Sequence, residues 1–180
     1  MAESFSKKSS KIIHQNPYWN YKLDEYIIPS GDIRNYYYVD SRGSSIIIPK
    51  IDDKHFILIE QYRYLNQKVS IEFPGGGLIP NISYPENALK ELEEETGYKT
   101  DINSLTLIGE FNPCIGMTNE ICKVYLAENL QQTIQQPDEE EEIKILVLNP
   151  DEINSMIKSN KIWSGMSISS WFFYVSKFMI

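Results

Sequence analysis

The sequence predicts a mixed α/β domain preceded by an antiparallel extension of strands. Apolar runs of strand length occur before and after one helix with clear start and stop signals, which is the pattern of a sheet covered by helices. The chain has 180 residues, which is long enough for a hydrophobic core without disulfides, and it contains only two cysteines. The N-terminal part alternates aromatic and polar side chains, as half-buried hairpin strands do.

The predicted elements divide the chain into three parts. Residues 1–16 are Ser/Lys-rich and are expected to be a flexible tail, residues 17–42 form the strand extension, and residues 43–180 form the main domain. Strands are expected at 18–28, 36–39, 45–49, 55–63, 69–73, 105–111, 121–126 and 143–148. Later helices are expected from the 149–151 boundary and over 167–178.

The central helix has clear start and stop signals. Ser83 is followed three residues later by Glu86, which is the spacing of a capping box, and Pro85 lies in the first turn, where proline is tolerated. Gly97 stands where a C-terminal glycine cap is expected. The helix is therefore predicted to run between Ser83 and Gly97.

Charge and hydropathy exclude several classes of protein. The 25 acidic and 17 basic residues give a net charge of −8, and a general grip on nucleic acid backbone needs a basic surface. No apolar stretch is long enough to span a bilayer, and residues 1–11 lack the apolar core of a secretory signal. We expect a cytoplasmic protein that binds neither nucleic acid nor membrane.

Three glutamates of the central helix share one side. At about 100° per residue, Glu91, Glu94 and Glu95 fall within an arc of about 100° beside an apolar stripe, whereas Lys90 and Glu93 are expected to face solvent. A solvated acidic face is one interpretation, because like charges at this spacing cost little. The other is a site for Mg²⁺ or Mn²⁺, since the preceding Gly75–Gly77 lets backbone approach a ligand closely.

Two other features also allow either a structural or a functional interpretation. The acidic run 138–142 precedes a predicted strand, and such a run is usually a solvated loop. Arg63, near a strand end, has a guanidinium group that suits either a surface ion pair or a bound diphosphate. The sequence lacks both the GxxxxGK[ST] phosphate loop and the GxGxxG motif, so kinase and dinucleotide oxidoreductase functions have no support.

The stretch from Gly76 to Tyr98 resembles the box of the Nudix hydrolases, G-x5-E-x7-R-E-U-x-E-E-x-G-U, in which U is apolar. Residues 90–98, KELEEETGY, cover its second half without gaps. The chain departs from the box at Ile82, where the family has glutamate, and at Lys90, where it has arginine. In the family those two side chains are generally paired for structural support.

Further residues resemble the ADP-ribose pyrophosphatase branch of that family. They are Glu72-Phe73-Pro74-Gly75-Gly76 beside its E-x-P-A-G segment, Gln61-Tyr62-Arg63 beside its Q-Y-R strand, Pro113 about fifteen residues beyond the box, and residues 113–120 beside its P-G-x-S-x-E loop. The resemblance covers roughly residues 17–170. It implies an α/β/α sandwich with a mixed sheet, and a homodimer that forms through the N-terminal strands.

The resemblance also implies a function and a set of site residues. The activity would be metal-dependent hydrolysis of ADP-ribose to AMP and ribose 5-phosphate. Mg²⁺, or Mn²⁺ in its place, would be held by Glu91, Glu94, Glu95 and the carbonyl of Gly75, with Glu94 also counted as catalytic. Glu141, or Glu140 as the second choice, would take a proton from the attacking water. The substrate would contact Arg63, Glu72, Gly76 and Glu120.

Two alternatives remain open at the level of sequence. One is the same chemistry on another nucleotide, such as a GDP- or UDP-sugar, NADH or a dinucleoside polyphosphate. The other is a nucleotide-binding domain without catalysis, which the departures at Ile82 and Lys90 make plausible.

Overall fold

The structure is a computed structural model that describes residues 5–136 and 142–179. The chain divides into two compact units. The N-terminal unit contains Met1–Gly43 together with Asn112–Ile121, and the main unit contains Ser44–Phe111 and Cys122–Ile180.

The described residues form twelve strands and three α-helices. In chain order these are β1 (Ser6–Gln15), β2 (Asn20–Ile27), β3 (Ile33–Asp40), β4 (Ser44–Asp52), β5 (His55–Arg63), β6 (Lys68–Glu72), β7 (Gly75–Gly77), α1 (Tyr84–Thr96), β8 (Tyr98–Lys99), β9 (Leu105–Phe111), β10 (Cys122–Ala127), β11 (Gln131–Gln132), β12 (Lys144–Leu148), α2 (Pro150–Lys158) and α3 (Gly165–Phe178).

The N-terminal unit is a three-stranded antiparallel sheet in the order β1-β2-β3. The predicted hairpin of β2 and β3 is present. In place of a flexible tail over residues 1–16, however, the chain forms strand β1 over Ser6–Gln15, which pairs with β2 from Ser6↔Ile27 to Gln15↔Asn20. The side chains of β1 are exposed throughout, so this strand carries no apolar periodicity from which to predict it.

A later segment of the chain belongs to the same N-terminal unit. Val39 in β3 bridges to Thr118, and its N–H donates to the carbonyl of Met117 at 2.9 Å. The Asn119 side chain donates to Asp40 at 2.7 Å and accepts from the N–H of Ser41 at 2.9 Å. The predicted extension over residues 17–42 is therefore completed by residues 112–121, which the sequence boundaries assign to the main domain.

The main unit is built on a mixed seven-stranded sheet. Its strand order is β12-β5-β4-β10-β9, with β6 paired to β5 and β7 paired to β4. The pair of β4 and β10 is parallel, and the neighbouring pairs are antiparallel. This mixed sheet with helices confirms the α/β fold class.

Helices cover both faces of this sheet. Successive side chains of a strand point to opposite faces, and in β4 Ile47 packs with Ala88 and Leu92 of α1. Its neighbours Ile46 and Ile48 belong to the cluster of α2 and α3, which includes Ile153, Trp171 and Tyr174. The main unit is thus an α/β/α sandwich. In the described part of the chain, no helix is long and apolar enough to cross a membrane.

Helix α1 starts and ends at the predicted residues. The Glu86 carboxylate accepts from the N–H of Ser83 at 2.7 Å and from its hydroxyl at 2.6 Å, and these bonds lower the pKa of Glu86. Gly97 takes φ +65°, and a Cβ there would lie 2.8 Å from the N of Gln135. Three consecutive glutamates, residues 93–95, lie in the last turn, which has no basic residue.

Candidate functional site

The glycine segment, residues 75–77, runs antiparallel to the start of β4 as strand β7. A Cβ at Gly75 would lie 2.3 Å from the carbonyl oxygen of Ser45 and 2.9 Å from the Cα of Ile46. Those are backbone atoms of a central strand, which cannot move aside cheaply. Only glycine fits at this position, and its presence sets how closely the segment approaches β4.

Glu91 of α1 lies directly against the second glycine. A Cβ at Gly76 would lie 2.5 Å from Oε1 of Glu91. The Asn87 side chain, one helical turn earlier, donates from Nδ2 to the carbonyl of Gly76 at 3.2 Å. Side chains of α1 therefore fix the backbone of Gly76 and bring a carboxylate against it.

Glu95 holds the first glycine. Its side chain is buried, and its Oε2 accepts from the N–H of Gly75 at 2.8 Å. The last turn of α1 is in turn held by the segment before the acidic run: Gln135 donates from Nε2 to the carbonyl of Glu95 at 2.7 Å, and the N–H of Gln136 donates to that of Glu94 at 3.0 Å. Glu91 and Glu95 thus converge on the glycine segment from adjacent turns of one rigid helix.

Glu94 contacts a lysine of the same helix. Its carboxylate forms an ion pair with Lys90, so Lys90 does not simply face solvent as the helical projection predicts. Both side chains are about one-third exposed, and the pair joins neighbouring turns of α1. Among residues 5–136 and 142–179, no three His, Cys, Asp or Glu side chains are grouped closely enough to hold a metal ion. The predicted trio is therefore two carboxylates at the glycines and a third beside a lysine.

Arg63 and Glu72, both predicted to contact substrate, contact each other. Nε of Arg63 donates to Oε1 of Glu72 at 2.8 Å, and Nη2 donates to Oε2 at 2.7 Å. This two-point geometry fixes the plane of the guanidinium group. The Arg63 side chain remains 42% exposed, whereas that of Glu72 is 12% exposed, so the carboxylate is the buried partner that orients the arginine.

The link between β6 and the glycine segment is fixed at two points, one in the sheet and one on helix α3. The carbonyl of Pro74 accepts from the N–H of Ile47 at 2.9 Å. The N–H of Phe73 donates to the hydroxyl of Ser167 in α3 at 3.0 Å. Sequence reasoning missed both Asn87 and Ser167, because no local pattern links Ser167 to a backbone group 94 residues away.

Two predicted site residues are not among the described residues of the main unit. Glu141, and Glu140 as its alternative, fall outside the described residues. Glu120 belongs to the N-terminal unit, where its N–H donates to the hydroxyl of Thr118 at 3.1 Å and its carbonyl accepts from the Asn112 side chain at 2.8 Å. The roles of these residues stay predictions.

An α/β/α sandwich with a mixed sheet is the fold that the sequence resemblance predicts, and comparison with known families agrees. The sequence model of the NUDIX domain matches residues 41–167. The chain belongs to the Nudix family.

Individual relatives support the branch. An ADP-ribose pyrophosphatase from Bacillus subtilis (strain 168) is 27% identical over 145 residues, covering 79% of this chain and 77% of that protein. A methanol dehydrogenase activator from Bacillus methanolicus is 27% identical over 172 residues, covering 93% of this chain and 92% of the activator. The protein is accordingly a Nudix hydrolase of the ADP-ribose pyrophosphatase-like branch.

A solved structure shares the fold. The crystal structure of an ADP compounds hydrolase superposes with a TM-score of 0.83 and 19% sequence identity, covering 98% of this chain and 95% of that one. At this level of identity the match supports the fold alone, and it confirms the predicted Nudix architecture.

Proposed function

We propose that this Nudix hydrolase is a metal-dependent pyrophosphohydrolase that cleaves ADP-ribose to AMP and ribose 5-phosphate. The observation that carries the proposal is the convergence of Glu91 and Glu95 on the glycine segment, with Gly75 donating to one carboxylate and Gly76 lying against the other. The similarity to an ADP-ribose pyrophosphatase supports the choice of substrate.

The donor set at the glycine segment fits a hard divalent cation. Glu91, Glu95 and the carbonyl of Gly75 offer only oxygen ligands, which Mg²⁺ and Mn²⁺ prefer. Glu94 would join them by exchanging its partner Lys90, at little cost because that pair is partly exposed. When bound, the cation supplies charge neutralisation at the diphosphate and lowers the pKa of a water molecule.

The remaining residues of the proposal bind substrate and move a proton. Arg63, oriented by Glu72, presents N–H groups to the phosphate oxygens. Gly76 and Glu120 are proposed as further substrate contacts. Glu141, or Glu140 in its place, takes a proton from the attacking water while the bridging P–O bond breaks.

A nicotinamide dinucleotide is the second candidate substrate. A relative that aligns with most of this chain is named as an activator of a dehydrogenase, a class of enzyme that commonly uses such a dinucleotide. NADH contains an ADP-ribose moiety, so the same diphosphate site would accept it. GDP- and UDP-sugars and dinucleoside polyphosphates complete the range that the resemblance allows.

Turnover of a small substrate panel tests the proposal. ADP-ribose, NADH, GDP-mannose, UDP-glucose and diadenosine polyphosphates are compared with Mg²⁺, with Mn²⁺ and with EDTA, and phosphate is released from the products by an added phosphatase. We expect metal-dependent turnover that is fastest on ADP-ribose. Another leading compound would change the substrate but keep the reaction, and turnover unaffected by EDTA would contradict metal dependence.

Variants of α1 test the site assignment. Glu95→Gln and Glu91→Gln are expected to lower kcat by about 100-fold or more, as expected for removal of an electrostatic contact in a preorganised site. Glu93→Gln is the matched control, because Glu93 lies on the same helix but is exposed. Thermal unfolding of each variant separates loss of turnover from loss of fold, and full activity in Glu95→Gln would refute the assignment.

A homodimer formed through the N-terminal strands is a further part of the proposal. Large aromatic side chains of this unit are exposed, with Tyr18 at 79% and Tyr37 at 52%, as surfaces that pair with a second copy often are. Light scattering at micromolar concentration is expected to give twice the monomer mass. Tyr37→Ser should shift this mass toward the monomer, and a monomeric natural protein would contradict the proposal.

A further inference from the structure

A single backbone donor links the two halves of the candidate site. Only Phe73 and Pro74 lie between Glu72, the last residue of β6, and Gly75, the first residue of β7. Proline has no N–H group, so Phe73 carries the only backbone donor of this link. That N–H donates to the hydroxyl of Ser167 at 3.0 Å.

The bond is fully enclosed. Ser167 is 1% exposed and Phe73 is 3% exposed, so water cannot replace the hydroxyl as the acceptor. A buried donor that loses its partner carries the whole cost of its lost hydration. Loss of this hydrogen bond is therefore costly, and the bond keeps the backbone of the link beside the Ser167 hydroxyl.

Helix α3 holds Phe73 at a second point. Trp171 lies one helical turn after Ser167, and its ring stacks on the ring of Phe73 with centroids 5.9 Å apart and planes 22° apart. The indole N–H of Trp171 donates to the Asn154 side chain of α2 at 2.8 Å, and its ring meets Phe56 of β5 edge-on at 5.2 Å. Ser167 therefore lies on a helix whose rotation about its own axis is fixed by packing.

We propose that Ser167 is a positioning residue for the hydrolase site. By fixing the backbone of Phe73, its hydroxyl sets the separation between Glu72, which orients Arg63, and Gly75, which binds Glu95. The proposal rests on the proposed function, since Arg63 and Glu95 belong to that site. It assigns a role in activity to the terminal helix, which contributes none of the predicted site residues.

The test compares two buried serines of the same helix. In Ser167→Ala the acceptor for Phe73 is removed, whereas in Ser170→Ala the lost hydroxyl donates only to the helix's own Met166 carbonyl, at 2.8 Å. Ser170 is 0% exposed, so the control removes an equally buried hydroxyl one turn away. Two quantities are measured: amide hydrogen exchange by NMR in the metal-free protein, and turnover of the substrate panel.

We expect Ser167→Ala to accelerate exchange at Phe73 and Gly75 by about tenfold or more, because local opening then exposes both. It should also lower kcat by about tenfold or more, since small misplacement of reacting groups is costly, and leave KM nearly unchanged. Ser170→Ala should change neither quantity. Ser167→Cys, which retains a weak acceptor of similar shape, should fall between the natural protein and Ser167→Ala.

Other outcomes overturn the proposal. Exchange that changes at Phe73 alone would show that Ser167 only protects that amide, and a kcat that falls equally in Ser170→Ala would show that Ser167 only stabilises α3. If Ser167→Ala fails to fold, the Ser167→Cys comparison decides, and a variant with unchanged exchange at Gly75 and unchanged kcat refutes the role. If the natural protein turns over none of the panel, the proposed function fails, whereas the exchange at Gly75 still decides whether Ser167 positions the glycine segment.

Discussion

The glycine segment of the main unit and the β1-β2-β3 sheet of the N-terminal unit are held by different forces. Around the segment, backbone groups of Phe73, Pro74, Gly75 and Gly76 each bond to a group of β4, α1 or α3. In the N-terminal sheet, charged side chains join neighbouring strands, with Lys7 at 2.6 Å from Asp24 and Lys22 at 2.6 Å from Asp40. The segment is fixed by close backbone contacts, whereas in the sheet ion pairs add to the backbone ladders.

The charges of the N-terminal sheet perturb one another. Burial by itself raises the pKa of Asp24, but hydrogen bonds from Lys7, Ser10 and Tyr38 outweigh it and bring that pKa below 3.8. Asp40 behaves in the same way: burial raises its pKa, and hydrogen bonds from Lys22 and Asn119 lower it further than burial raises it. The comparison therefore predicts sensitivity to side-chain size in one region and to pH in the other.

Gly75→Ala tests the first half of the comparison with the largest expected effect. The added methyl group would lie 2.3 Å from the Ser45 carbonyl oxygen, so β7 must separate from β4. We expect the free energy of unfolding to fall by about 2–3 kcal/mol, as in overpacked cores, and turnover to be lost with it. Urea unfolding measures the change. Gly165→Ala, at a glycine with open space around it, should show no such loss.

Gly76→Ala should separate activity from stability. The three atoms nearest to its methyl group belong to the Glu91 carboxylate, the closest at 2.5 Å, and a flexible side chain can move aside without moving backbone. We expect kcat to fall by about 100-fold, the effect of misplacing a site group, while the free energy of unfolding changes by less than about 1 kcal/mol. Steady-state kinetics and urea unfolding check both values. Unchanged kcat would show that Glu91 does not need its place beside Gly76.

These contacts show why the strands and helices of the main unit could be predicted from the sequence more completely than the contacts of its candidate site. The strands and α1 depend on short-range patterns, such as the spacing of Ser83 and Glu86 and the glycine after Thr96. The direction of Glu94 depends instead on the rotamer that brings it to Lys90, which the position on a helical projection does not determine. The hydroxyl of Ser167 depends on a partner from another part of the chain.

The N-terminal unit was harder to predict for a related reason. Strand β1 has exposed side chains along its whole length. It is held in place by its backbone pairing with β2 and by its ion pairs. The segment 112–121 joins this unit through contacts with β3 that span about 80 residues of sequence, such as the Tyr36 hydroxyl donating to the Gly116 carbonyl. No periodicity within either segment records these partners.

Acid should weaken the N-terminal sheet first. Since the folded-state pKa values of Asp24 and Asp40 lie below 3.8, their stabilising effect is present above that pH and is lost as the pH falls through the folded values. Between pH 5 and pH 3, the protection of the β2 amides against exchange, relative to their intrinsic rates, should therefore fall more than that of the β4 amides.

Asp24→Asn isolates one of these two groups. This variant should accelerate amide exchange in β2 at neutral pH. It should also make the protection of the β2 amides depend less on pH, because one of the titrating carboxylates is removed. Asp32→Asn, at an exposed carboxylate paired with Arg34, is the control and should leave that dependence in place. An unaltered pH profile in Asp24→Asn would show that the Lys7 pair contributes nothing to the sheet.

Lys90→Gln should give the smallest effect. It removes a partly exposed pair between adjacent helical turns, so the free energy of unfolding should change by no more than about 0.5 kcal/mol. Because Glu94 then lacks its ammonium partner, the variant should reach half-maximal turnover at a lower Mn²⁺ concentration than the natural protein. A Mn²⁺ titration of activity measures this shift, with Lys99→Gln as an exposed control. A greater Mn²⁺ requirement would contradict the exchange of partners proposed for Glu94.

The acidic last turn of α1 has a consequence for the stability of the whole main unit. Carboxylates at the C-terminal end of a helix oppose its dipole, at a cost of about 0.3–1 kcal/mol each at low ionic strength, and α1 ends in three of them. A divalent cation that binds this turn is a ligand of the folded state alone. At about 100 times its dissociation constant it raises the free energy of unfolding by about 2.7 kcal/mol. With the proposed cation bound there, the melting temperature of the protein would report the supply of the ion even without substrate.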